Sequence, residues 1–433
     1  MKLELKNVAR VSTANIDLNG ITIIVGDNNT GKTTVGRVLY SFFNALSGIH
    51  ERVPQLRASK CFDVAYSFLM ERSIRTFRHS ELRRLCTVFI EDGEESRNAL
   101  VAYIQNALRG SHLANSDVEE VLARLEHIRM LPEKDVRNQI VSNYFDEVFH
   151  EQYMPAKPAD AVSPYVDVEI KGTHIRFNLT DSGVNYDSEF DILHRAYFVD
   201  TPDLLQDVAD DGLFFWRGQG SGLGASLVSA IKHALNSRKR DPAASAVDDL
   251  LVSDSINDLF FKIGETIHGE VTTRSADKRA RFIDQEMGDF PVELGNVSRG
   301  IRAFALLHLA LKCKVIQPKD VLVLDEPEIH LHPDWQFAFA EIIVLLQKAF
   351  DLTLLITTHS ANFLQAIQLY SEKHNRRAFV NAYKARKRSD GNSEIVSVDG
   401  NSWDEAYLSF MKSVYRLRRL RNEVRGHETM NKE

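Results

Sequence analysis

One stretch near the start constrains this chain more than any other: Ile21-Thr22-Ile23-Ile24-Val25-Gly26-Asp27-Asn28-Asn29-Thr30-Gly31-Lys32-Thr33-Thr34. Most of its opening residues are apolar and β-branched, which predicts a buried strand. Gly26 to Thr33 then fit G-x-x-x-x-G-K-[ST]. Gly26 and Gly31 let the backbone curl, so that the N–H groups of Asp27, Asn28, Asn29 and Thr30 turn inward toward an anion. Lys32 adds an ammonium for β- and γ-phosphates, and the Thr33 hydroxyl is a ligand for Mg²⁺. Thr34 opens a predicted helix over 34–43 whose positive dipole end faces the same anion. A glycine-rich turn can match such a pattern by chance. The strand before it and the helix after it are the context that favours a nucleotide site.

At 433 residues the chain has room for two or three domains. Its 44% hydrophobic and 26% charged residues suit a soluble globular protein. The net charge of −7 gives no global attraction to nucleic acid, though a local basic patch stays open. Three cysteines, Cys61, Cys86 and Cys313, form no C-x-x-C pair, which argues against a disulfide framework or zinc site and suits a reducing, cytoplasmic setting. Met1-Lys2-Leu3-Glu4-Leu5 alternates like a strand rather than a signal peptide. No apolar run is long enough to span a membrane.

In chain order, 2–7 and 15–18 read as short strands before the phosphate loop. Residues 49–152 are rich in Arg, Glu and Leu, with apolar positions at helical spacing, such as Leu82, Leu85, Val88 and Phe89. They predict several ordinary helices, an inserted lobe and not a long coiled coil. Arg72, Arg75, Arg78, Arg83 and Arg84 read first as a solvated face, with a nucleic-acid or partner surface as the alternative. The proline-containing stretch 154–164 is a linker. Residues 166–170 and 175–179 alternate and flank a turn, a hairpin. Another strand covers 195–199. The glycine-rich 214–224 lacks a following Gly-Lys-Ser/Thr and reads as a loop. Helices are expected over 227–240 and 254–264.

The second half carries the remaining chemistry. Val321-Leu322-Val323-Leu324-Asp325-Glu326 is an aliphatic strand ending in two carboxylates. Asp325 can hold Mg²⁺ through its water shell, and Glu326 can polarise an attacking water as general base. A solvated turn would also accept two acids; the phosphate loop upstream favours the nucleotide reading. Leu352 to Ser360 forms a second buried strand ending in His359, across one predicted helix from the acids. In an open α/β sheet, ligands bind at that carboxyl edge. A neutral His359 can bond a γ-phosphate or the attacking water. Ser298 is an N-cap candidate before a helix over 303–314, and Gly300 allows close backbone approach.

Taken in order, these motifs resemble a family: the phosphate loop, Ser298-Arg299-Gly300-Ile301-Arg302, Leu324-Asp325-Glu326-Pro327, Glu328-Ile329-His330-Leu331-His332-Pro333 and Thr357-Thr358-His359-Ser360. The chain is similar to ABC-type ATPases of the SMC-like and OLD-like branch, and in particular to stand-alone AAA-labelled ATPases of anti-phage systems such as Septu and PARIS. The motifs cover about half of the chain, 1–45 and 160–375. The resemblance implies an α/β head, a mostly parallel sheet with flanking helices and an antiparallel β subdomain, binding ATP and Mg²⁺. Its parts are expected at 1–48 and 153–375, with the helical lobe at 49–152 and strands plus a basic helix at 376–433. It further implies head-to-tail dimers in which Ser298 and Gly300 meet the γ-phosphate on the other subunit's Lys32, with 328–333 at the dimer seam. The family's signature reads Ser-Gly-Gly or Ser-x-Gly-Glu; Arg299 and Ile301 depart from it, which implies slow turnover. Gln206 and Gln219 are candidates for the glutamine loop. OLD-like nucleases add a Toprim domain with Asp-x-Asp, which 360–433 do not contain. That segment instead holds strands at 379–383 and 394–398, a basic turn at 384–388, and a helix over 402–424 with Arg416, Arg418, Arg419, Arg421 and Arg425. The expectation is an ATP-hydrolysing switch acting on a separate effector, a nuclease or toxin. The alternatives are an SMC-like ATPase acting directly on DNA and a scaffold that holds ATP without hydrolysis.

Overall fold

The computed structural model of this chain describes residues 1–72, 77–91, 94–108, 115–200, 225–240, 254–273, 280–288 and 290–398, and beyond them 403, 406, 407, 410 and 415–422. Gln206, Gln219, the 214–224 stretch and Arg425 lie outside these residues. Lys2–Val8 (β1) and Val11–Asp17 (β2) form a hairpin, and Ile21–Gly26 (β3) follows with every residue buried. Full burial is what a mostly apolar, β-branched run predicts for a central parallel strand. Helices Lys32–Leu46 (α1), Ile49–Glu71 (α2), His79–Glu91 (α3), Glu94–Ala107 (α4), Asn115–Met130 (α5) and Glu133–Phe149 (α6) come next. Strands Tyr165–Ile170 (β4), Thr173–Thr180 (β5), Gly183–Tyr186 (β6) and Ala196–Val199 (β7) precede helices Ala225–Arg240 (α7) and Asp254–Ile267 (α8). Three strands follow, Gly269–Thr273 (β8), Ala280–Asp284 (β9) and Phe290–Glu293 (β10). The remainder runs Arg299–Lys312 (α9), Val321–Asp325 (β11), Pro333–Phe350 (α10), Thr353–Thr358 (β12), Ala361–Lys373 (α11), Val380–Lys387 (β13) and Ser393–Ser397 (β14).

The chain divides into two compact units. The larger comprises Met1–Asn44, Tyr144–Ser182 and His194–Glu433, the smaller Ala45–Asn143 and Gly183–Leu193. In the larger unit the main sheet runs β5-β4-β1-β2-β14-β13-β3-β12-β11-β7. The five strands from β13 to β7 are mutually parallel, and β5, β4, β1 and β2 are antiparallel. β14 joins the halves, antiparallel to β13 and parallel to β2. This is an α/β fold whose antiparallel strands continue the parallel sheet. Buried residues of β3, β11 and β12, among them Ile23, Leu322 and Leu354, share one core with α9, α10 and α11.

The smaller unit packs α2 to α5 around Cys61, Leu69, Leu82, Phe89, Leu100 and Leu125. Its extent differs from the lobe expected at 49–152: it begins at Ala45 and also takes in Gly183–Leu193. The C-terminal strands differ more. The residues expected as a basic turn, Lys384 to Lys387, belong to β13, where Ala385 is buried between the partly buried Lys384 and Arg386. Period-two alternation is a strand signal, and the high charge density hid it. β13 and β14 are interior to the main sheet, so 376–398 do not form a separate C-terminal segment. Of the expected helix at 402–424, the described residues 406, 407, 410 and 415–422 are helical, and 415–422 are exposed. Trp403 and Ala406 are instead buried in the core of the larger unit.

Candidate nucleotide site

Parallel pairing sets the site's frame. Val25 of β3 stands opposite Thr358 of β12, and Asp325 of β11 opposite Thr357. The carboxyl ends of three adjacent strands therefore meet at one edge, where open α/β sheets bind ligands. Gly26 ends β3 beside β13, and a Cβ on it would lie 2.6 Å from the Ala385 carbonyl oxygen. Only glycine fits there. Past it, Asp27, Asn28 and Asn29 are exposed. Asn29 and Gly31 take left-handed backbone, with φ of 63° and 80°. Thr30 Oγ1 closes the turn by donating to Asp27 O at 2.7 Å. α1 begins at Lys32, two residues before the predicted Thr34. Lys32 and Thr33 thus ride on its first turn, with Thr34 beside them.

The Lys32 ammonium is buried inside its own loop, donating to Gly26 O at 3.1 Å and Asp27 O at 3.0 Å. Burial lowers its pKa below the usual lysine value, against the opposing pull of Glu326, Asp325, Asp27 and Glu328. Thr33 Oγ1 is 2.9 Å from Asp325 Oδ2 and 3.2 Å from Oδ1. Thr357 Oγ1 donates to the same Oδ1. The Glu326 backbone turns sharply as the strand ends, at φ 52°, and its N–H donates to Thr357 O and Thr357 Oγ1, each at 3.1 Å. Left-handed backbone costs a non-glycine residue on the order of 1 kcal/mol, and such strain clusters at functional sites. Glu326 Oε1 lies 2.7 Å from His359 Nε2, which is also 2.8 Å from Lys32 Nζ. Burial and the Lys32 charge lower the His359 pKa, with Glu326 opposing, so the ring favours its neutral form.

Ser298 caps α9, its Oγ accepting from Ile301 N at 3.3 Å, an arrangement worth about 1 kcal/mol. A Cβ on Gly300 would stand 2.9 Å from the Trp335 ring and 3.3 Å from His330 O. Gly300 therefore lets α9 approach the 328–335 segment. Arg302 is buried and donates to Val297 O and Gly295 O, holding the turn before the helix. Among the described residues, no hydrogen bond joins Ser298 or Gly300 to residues 26–34.

Two family models match this chain. One, "AAA ATPase domain", covers residues 1–157; the other, "AAA domain, putative AbiEii toxin, Type IV TA system", covers 251–365. Both support a P-loop ATPase of the AAA-labelled kind. The first match takes in Gly26 to Thr34, and the second Ser298, Asp325, Glu326 and His359. No curated protein matches the chain. Solved structures similar to it include an SMC head domain from Thermotoga maritima, 15% identical over 92% of this chain and 98% of that one, with a TM-score of 0.38. Another is an SMC head bound to the C-terminal winged-helix domain of ScpA, 13% identical over 92% and 97%, TM-score 0.47. A third is the Pyrococcus furiosus SMC head with an extended coiled coil, bound to the C-terminal domain of ScpA, 10% identical over 96% and 98%, TM-score 0.34.

Three further residues touch the candidate site. Arg10 Nη1 donates to Asn29 O at 3.3 Å from the β1–β2 turn, and an isolated turn arginine carries no motif signal. Thr357 bonds both acids' segment, a role visible in sequence only as a hydroxyl just before Thr358-His359. Glu328, the first residue of the 328–333 segment, is 4% exposed, whereas its neighbour Ile329 is 59% exposed. Glu328 Oε1 accepts from Thr358 Oγ1 at 2.5 Å and from His359 N at 2.9 Å.

Proposed function

We propose that this chain binds and hydrolyses ATP with Mg²⁺, and that ATP closes two copies head to tail as a switch over a separate effector, a nuclease or toxin, in anti-phage defence. The observation that carries the ATPase part is the convergence of Lys32, Thr33, Asp325, Glu326 and His359 at one sheet edge. The residues fit the cofactors. Thr33 and Asp325 offer a hydroxyl and a carboxylate, the oxygen donors that Mg²⁺ takes, and Lys32 is fixed at the mouth of a backbone cradle. Bound Mg²⁺ supplies positive charge to the phosphate oxygens.

The chain's own groups then divide the work. Lys32 holds phosphate oxygens. Glu326 orients the attacking water and accepts its proton. His359 Nε2 can accept from Lys32 or donate to Glu326, not both at once. When Lys32 turns to the phosphates, Nε2 is left to fix the Glu326 carboxylate. Ser298, exposed at the start of α9, and Gly300, buried against Trp335, serve the site of the second copy, a reading supported by the family resemblance. The sensitive test is phosphate release by the purified chain with Mg²⁺, together with its mass in solution with and without ATP. Release above background and ATP-dependent doubling are expected. A mass that ignores ATP, in a Glu326→Gln protein that binds it, would overturn the switch. For the effector, the expected result is a co-purifying nuclease or toxin from the native host.

A second reading is favoured by one surface. Arg416, Arg418, Arg419 and Arg421 are exposed on one short helix, suited to phosphate backbones. Direct action on DNA predicts DNA-stimulated hydrolysis that weakens steeply with salt; no stimulation at low salt removes it.

A further inference from the structure

We infer that Glu328 is a positioning residue of the ATPase, setting the place of His359 and tying it to the 329–332 turn, where Ile329, His330 and His332 are exposed. The inference rests on the proposed ATPase reading. Glu328 follows the two acids by a tight turn, with Ile329 N donating to Glu326 O and Leu331 N to Glu328 O. Its side chain points inward. Oε1 takes both the Thr358 hydroxyl and the His359 backbone N–H. Oε2 is buried with no hydrogen-bond partner. An unpaired buried carboxylate oxygen is costly, so solvent exposure or apolar replacement would be the cheaper structural solution. Its placement beside the reacting groups points to positioning.

The contacts close into a circuit. Ser360 N donates to Thr358 Oγ1 at 3.0 Å, and Ser360 Oγ donates to Gln336 Oε1 at 2.9 Å. Gln336 Nε2 returns to Leu331 O at 3.3 Å and Glu328 O at 3.5 Å. Glu328, Thr358, Ser360 and Gln336 thus lock the segment after β11 to the end of β12. The His359 backbone is one member's direct partner, and its ring reaches Glu326 and Lys32. A shift of the 329–332 turn, whose Ile329 faces outward, therefore moves the His359 ring.

A double-mutant cycle separates positioning from general support. Glu328→Ala should lower kcat at least tenfold with the ATP KM within threefold, and Glu328→Gln, which keeps the Oε1 acceptor, should recover most of the rate. In a His359→Ala background, Glu328→Ala should cost less than threefold more. Additive losses, or equal loss in Gln and Ala variants, overturn the inference. Failure of the ATPase reading looks different: the parent protein shows no turnover. The nucleotide-free chain then still decides the matter by histidine NMR, with the His359 ring signal assigned through His359→Gln. That signal should move in Glu328→Ala and lie closer to the parent position in Glu328→Gln. An unmoved signal in Glu328→Ala overturns the inference whatever the turnover.

Discussion

His359 Nε2 stands 2.7 Å from Glu326 Oε1, at the ends of two neighbouring parallel strands. The acid that would take the water's proton is thus held by a ring that burial and Lys32 keep toward neutrality.

Glu326→Gln should retain ATP binding and lose roughly 10²–10⁴-fold in hydrolysis, the usual worth of a positioned base. The amide preserves shape but accepts no proton. Phosphate release at the parent rate would remove Glu326 from the role.

Lys32→Ala should weaken ATP binding sharply by titration calorimetry, since the only ammonium inside the loop's cradle is lost among the described residues. Asp325→Ala should chiefly raise the Mg²⁺ concentration needed, because Thr33 Oγ1 loses its partner oxygens. Unchanged affinity in Lys32→Ala would contradict the loop assignment.

Mixing tests the composite site. Ser298→Arg and Lys32→Ala proteins should each be inactive, yet a mixture should regain part of the ATPase rate, because a mixed pair has one site with both an intact loop and an intact α9 start. No recovery despite measured subunit exchange would put the whole site in one chain or demand both sites together.

Acid stability turns on His308. It is buried on α9 beside Phe260, its Nδ1 has no hydrogen-bond partner, and burial, then Lys312, push its pKa down to about 4. Its unfolded value is near 6.5. Between these values the unfolded chain binds the extra proton, so stability is full above about pH 6.5 and falls as pH drops toward 4. The whole effect is about 3 kcal/mol. His308→Leu should flatten the decline of the thermal midpoint between pH 7 and pH 5; an equal decline in both proteins would acquit His308.

Truncation should separate the C-terminal surface from the core. Ending the chain after Phe410 keeps Trp403 and Ala406, both buried, and should spare ATP binding while removing the arginine-bearing helix and, if that helix is the dock, effector capture. Ending it after Gly400 strips Trp403 from the core and should lower the thermal midpoint. Effector capture by the shorter chain would move the dock to the helical unit.

Much of this was legible in local pattern. The loop glycines, Lys32 and Thr33 are contiguous, and the aliphatic run before Asp325 and Glu326 announces its own strand. Ser298 reads as a cap and acts as one. Glu328 was not legible, because its burial is decided by Thr358 and His359, far along the chain. β8, β9 and β10 are short, and β10 is partly exposed along its length, so no run of apolar residues marks them. The strand expected at 379–383 runs on to Lys387, and that second half of β13 was hidden because Lys384 and Arg386 flank an alanine that only pairing to β3 reveals as buried.

β3 pairs on one side with β12 and on the other with β13. Both partners are made long after it: a ribosome adding about 5–20 residues per second needs on the order of tens of seconds to reach them. For that interval a strand destined for full burial waits with two bare edges, and non-local pairing of this kind is slow and aggregation-prone. The nucleotide loop at its end is therefore among the last parts of the molecule to be born in working form.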